Sequence, residues 1–90
     1  MITTAHTLES ALAIVRAMPD VASAEIWTPT AEEVAEYAAD GITATPRLIV
    51  TVWRSCRNPS FIRDDIEGMG LICDGRGSSD LGTVYDFAAA

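Results

Sequence analysis

The run RLIVTVW, inside the segment Thr45 to Cys56, restricts the fold of this chain more than any other feature. Leu48, Val50 and Val52 alternate with Ile49, Thr51 and Trp53, so both faces of an extended segment are largely apolar. The period of two and the β-branched content predict a strand. Apolar residues on both sides place it inside a sheet rather than at an edge. A central strand needs a neighbour along each side and a covering layer. The rest of the chain has to supply both.

The segment VASAEIWT, Val21 to Thr28, predicts one neighbour. Ala22, Ala24 and Ile26 fall on one face, and Val21, Ser23, Glu25 and Trp27 on the other. The small alanines suit a face lying close beneath a helix. GLICDG and GTVYDFA predict two further short strands near the C-terminal end.

Three segments carry helix signals. Leu8, Ala11, Leu12, Val15 and Met18 recur at helical spacing, with Thr7 as N-cap and Pro19 as the stop. In TPTAEEVAEYAADG, Thr30 and Glu33 form a capping box and Gly41 ends the helix. Its inner stripe is Ala31, Val34, Tyr37 and Ala38. The third helix follows Asn58 as cap and Pro59 at its first position, with Phe61, Ile62, Ile66 and Met69 on the apolar side. Asp64 and Asp65 are expected to favour the positive end of its dipole.

Ile2 to Thr4 would add a short first strand. The order predicts one domain over residues 1–90, an α+β two-layer sandwich. In element order it resembles a ferredoxin-like variant, with three helices packed on a mostly antiparallel sheet.

The motifs that name a reaction fail one by one. The stretch DGRGSSDLG holds Gly75, Gly77 and Gly82, but Gly82 lies too far along for a dinucleotide fingerprint. No lysine exists to complete a phosphate-binding loop, and no helix follows. A hairpin loop is expected there. Cys56 precedes Arg63 by one residue too many for a cysteine phosphatase loop, although Arg54, Arg57 and Arg63 lie near it in sequence. His6, the sole histidine, has no nucleophile beside it in sequence. Cys56 and Cys73 fit neither a disulfide scaffold nor a zinc site, so no metal and no cofactor are predicted.

Charge is the remaining signal. The formal net charge is −7, and all six basic residues are arginine. Such a chain is repelled by nucleic acid and by anionic membranes, and its natural partner is a basic protein surface. The N-terminal residues lack a basic segment followed by an apolar one, so a cytoplasmic location is expected. Glu32, Glu36 and Asp40 recur every four residues along the second helix with no basic residue beside them. Trp27 and Trp53 are expected on the sheet face opposite Leu48, Val50 and Val52, joined there by Tyr85 and Phe87. That face either stays open or is covered by the second helix.

Glu32, Glu36, Asp40, Trp27 and Trp53 are therefore the expected partner-binding residues of a non-enzymatic interaction protein. By analogy with small acidic phage inhibitors of the anti-CRISPR or anti-restriction type, it would occupy a basic nucleic-acid-binding site on another protein. Two alternatives belong to other classes: a regulatory domain binding a small molecule at a homodimer interface, and a thiol enzyme using Cys56.

Overall fold

A computed structural model describes residues 7–89. The strand expected at Ile2 to Thr4, and His6, lie outside the described residues. The elements are α1 (Leu8–Arg16), β1 (Val21–Trp27), α2 (Ala31–Ala39), β2 (Arg47–Trp53), α3 (Pro59–Glu67), β3 (Leu71–Ser78) and β4 (Gly82–Ala89). The strands form one sheet in the order β1-β2-β4-β3, with every neighbouring pair antiparallel. β2 is internal, as its two-sided apolar pattern requires. β2 and β3 flank β4 and run parallel to each other, so the β2–α3–β3 connection passes over β4. The fold is a two-layer α+β sandwich.

The core lies on one face of the sheet. Leu48, Val50 and Val52 of β2 meet Tyr85 and Phe87 of β4, with Ala24 and Leu71 from the edge strands. Leu8, Ala11 and Val15 of α1 and Ile62 and Ile66 of α3 cover them. Thr7 caps α1, its hydroxyl oxygen accepting from the Ser10 backbone N–H at 3.1 Å. The small Ala24 lets α1 settle close on β1, and Arg16 Nε donates to the Ala24 carbonyl at 3.1 Å.

Several expectations are corrected by this packing. Only two helices pack on the sheet: α2 buries no side chain, and Val34 and Tyr37 are 41% and 40% exposed. Its stripe of two alanines, a valine and a tyrosine offers too little apolar area to compete with α1 and α3. Tyr85 and Phe87 pair with Val50 and Leu48. Directly opposed residues share a face, so both rings are core, 6.2 Å apart, and do not join Trp27 and Trp53. Val21 pairs with Val52 while Ser23 pairs with Thr51. This bulge moves Val21 off the face of Trp27 to pack against the core.

Two local readings change as well. Asn58 occupies the N-cap position of α3 ahead of Pro59 but makes no side-chain capping bond; its side-chain oxygen accepts from the Ser60 hydroxyl instead. Asp64 and Asp65 sit in the second half of α3, so the N-terminal dipole does not account for them. Arg63 pairs with Asp64 at 3.2 Å and with Glu67 at 3.3 Å. The glycine-rich stretch is mostly strand. β3 continues to Ser78, and the hairpin turn is closed by reciprocal backbone bonds between Ser79 and Gly82, at 2.8 and 3.3 Å.

Candidate functional site: a cleft at the foot of α2

α2 is stabilised at its ends rather than by packing. Thr30 and Glu33 complete the capping box: Thr30 Oγ1 accepts from the Glu33 N–H at 3.2 Å, and Glu33 Oε1 accepts from the Thr30 N–H at 3.1 Å. At the other end Gly41 takes φ 77°, a conformation glycine adopts without steric cost. The Ile42 N–H bonds to the Tyr37 carbonyl at 2.9 Å, and the Gly41 N–H to the Ala38 carbonyl at 3.0 Å. These two bonds define a Schellman motif, which places the residue after the glycine against the side chain one turn back. Here those residues are Ile42 and Tyr37.

Tyr37 and Ile42 form one wall of a cleft of about 410 Å³ on the sheet face away from α1 and α3. Trp27 and Ile49 supply apolar surface from β1 and β2, and Glu25, Arg47 and Asp86 supply charge. Strand register creates this grouping. Trp27 pairs with Arg47, and in the next row outward-facing on the sheet Ile49 lies between Glu25 and Asp86.

The one cation among these residues is already engaged. Arg47 forms an ion pair with Asp74 on β3. Asp74 is the extra residue of a bulge between Cys73 and Gly75 and so has no paired residue on β4. Its hydrogen bond to Arg47 raises the guanidinium pKa, opposed by partial burial and aided by the charges of Asp74 and Asp86. Gly75 makes room for Asp86: a Cβ there would stand 3.2 Å from Asp86 Oδ2. Asp74 and Asp86 act on this guanidinium, and Glu25 lines the same cleft, so the four residues carry a formal net charge of −2.

The expected partner-binding residues divide into three places. Glu32, Glu36 and Asp40 are exposed on α2 and make no ion pair among the described residues. At 3.6 residues per turn, Asp40 stands roughly 60° around the helix from Tyr37, Glu36 about 100° and Glu32 about 140°. The stripe therefore begins beside the cleft and turns away from it. Trp27 is half-buried in the cleft. Trp53 is 42% exposed and pairs with Gly82, at the opposite end of β2. Six residue steps along β2 separate it from the row of Trp27, about 20 Å, so the two tryptophans do not form one surface.

The other candidate chemistry is dispersed. Cys56 packs against the core. Arg54 donates to the Ser79 carbonyl at 3.3 Å, and Arg63 is held by Asp64 and Glu67. Among the described residues, no three His, Cys, Asp or Glu side chains are grouped to hold a metal ion, and no helix is long and apolar enough to cross a membrane. Sequence reasoning missed Glu25, Tyr37, Ile42, Arg47, Asp74 and Asp86 as a group. Strand alternation puts Glu25 beside Trp27, and Gly41 as a helix stop puts Ile42 against Tyr37. Arg47, Asp74 and Asp86 converge only through pairing register. No family model matches the sequence, and comparison with curated proteins and with solved structures finds no match to this chain.

Proposed function

We propose that this protein is an interaction module that binds a basic surface of another protein through the carboxylates of α2. The observation that carries this reading is a helix held outside the core, with Glu32, Glu36 and Asp40 exposed and without basic neighbours on the helix. Local physics opposes that composition. Like charges four residues apart cost a few tenths of a kcal/mol per pair, and Asp40 sits at the negative end of the helix dipole. A row of carboxylates about 6 Å apart along the axis matches a partner that presents several arginines or lysines, including a site that otherwise holds phosphates. The formal charge of −7 steers such an encounter.

The test is affinity capture from the native host with two baits, the wild-type chain and the variant Glu32→Gln, Glu36→Gln, Asp40→Asn. The expected result is a basic protein retained at low salt, released as salt rises, and lost from the triple variant. Capture of the same proteins by both baits, with the same salt dependence, would overturn the proposal.

A further inference from the structure

We infer that the cleft between α2 and the sheet is a socket for a single arginine side chain presented by the basic partner. This inference deepens the proposed function and rests on it. The cleft is separate from the acidic stripe, because Glu32 and Glu36 point away from Tyr37 around α2. Its composition fits one kind of side chain. Trp27 and Tyr37 offer aromatic faces, Ile42 and Ile49 offer apolar surface for a methylene stem, and Glu25 and Asp86 offer acceptors for a guanidinium fork. Arginine is favoured over lysine because the planar, weakly hydrated guanidinium stacks on aromatic rings while donating in its plane.

Charge selects the occupant. An anionic ligand would meet the net negative charge of Glu25, Asp74 and Asp86 against Arg47, which Asp74 already holds. A second copy of this chain would bring another −7 and few free donors. Four of its six arginines already donate within the chain: Arg16 to the Ala24 carbonyl, Arg47 to Asp74, Arg54 to the Ser79 carbonyl, and Arg63 to Asp64 and Glu67. A foreign basic segment meets neither obstacle. The cleft volume of about 410 Å³ is large enough to admit such a side chain with its flanking backbone.

The experiment is a two-dimensional NMR titration of the full chain with three short peptides, alternating serine with arginine, lysine or citrulline. The indole N–H signals of Trp27 and Trp53 report on the two ends of the same sheet face. The arginine peptide should shift the Trp27 signal saturably and leave Trp53 unmoved. The lysine peptide should bind roughly threefold more weakly. Citrulline, which keeps the shape and loses the charge, should not saturate the signal. Glu25→Gln should weaken the arginine peptide by about fivefold to tenfold.

The α2 triple variant should weaken overall affinity while the Trp27 shift at saturation stays the same. Movement of α2 signals without Trp27 would overturn the socket and leave the docking role of α2 standing. Movement of neither would overturn both. Equal binding of the citrulline peptide would overturn the cation chemistry. A Trp27 shift on raising the protein concentration without peptide would assign the cleft to a second copy instead.

Discussion

Replacing Gly82 with alanine should remove a large part of the stability of this domain. Gly82 opens β4 directly against Trp53 of β2, with φ at 156°. A Cβ at this position would fall on the Val52 carbonyl oxygen, 2.6 Å from the Arg54 nitrogen and 2.9 Å from the Trp53 carbonyl carbon. All three are backbone atoms in an internal strand or directly after it, so no side-chain rotation relieves the overlap. The chain can only pry β4 from β2 at this end. That movement weakens the Arg54 N–H to Leu81 carbonyl bond and the pair that closes the hairpin between Ser79 and Gly82.

Backbone strain of about 1–3 kcal/mol and two or three hydrogen bonds at about 1 kcal/mol each give a loss of roughly 3–6 kcal/mol. A domain of this length has a total of about 5–13 kcal/mol. Urea denaturation followed by far-ultraviolet circular dichroism should show the midpoint falling by about 3 M or more, taking a slope near 1 kcal/mol per M. Two controls isolate the cause. Gly41 also has positive φ, 77°, but a Cβ there has nothing within 4 Å, so Gly41→Ala should cost only about 1 kcal/mol. Gly77 lies within β3 with open space and no positive φ, so Gly77→Ala should stabilise by about 0.5 kcal/mol. If Gly82→Ala lay within about 1 kcal/mol of wild type, or no worse than Gly41→Ala, the close approach of β4 to β2 would be wrongly placed.

Val50 is fully buried between β1 and β4, so Val50→Asp should abolish the cooperative unfolding transition by burying an unpaired carboxylate; a folded variant near wild-type stability would refute its central position. Neutralising Glu32, Glu36 and Asp40 together should raise the thermal midpoint or leave it unchanged, with a gain of about 0.5–1 kcal/mol from lost repulsion and the improved helix end. A clear fall in the midpoint would mean that these carboxylates support the fold. Titration with ATP, GTP and NAD should give no saturable signal at sub-millimolar concentration, because Gly75 and Gly77 are strand residues and no helix N-terminus follows the turn. Saturable binding abolished by changing Arg76 would reverse that conclusion.

Features that depend on near neighbours can be read from residue order alone. Thr7 capping α1, the Thr30–Glu33 box, the Gly41 stop and the alternation of β2 are interactions within a few residues, and their chemistry is written in the order of the chain. The internal position of β2 was legible for the same reason, since Ile49 and Val50 point to opposite faces whatever lies beside them. Features that depend on register and on competition for the core are settled only in the folded chain. Tyr85 and Phe87 could occupy either sheet face until pairing with Val50 and Leu48 fixed it. A single extra residue at Ala22 and another at Asp74 changed which side chains share a face, because a strand has a period of two and a bulge reverses it. Whether the thin stripe of α2 packs on the sheet depends on competition: α1 and α3 bury the larger apolar area on the core face, and α2 stays outside the core. Leaving α2 outside created the cleft, and register brought Glu25, Arg47 and Asp86 to it from three separate strands, with Asp74 of a fourth holding Arg47.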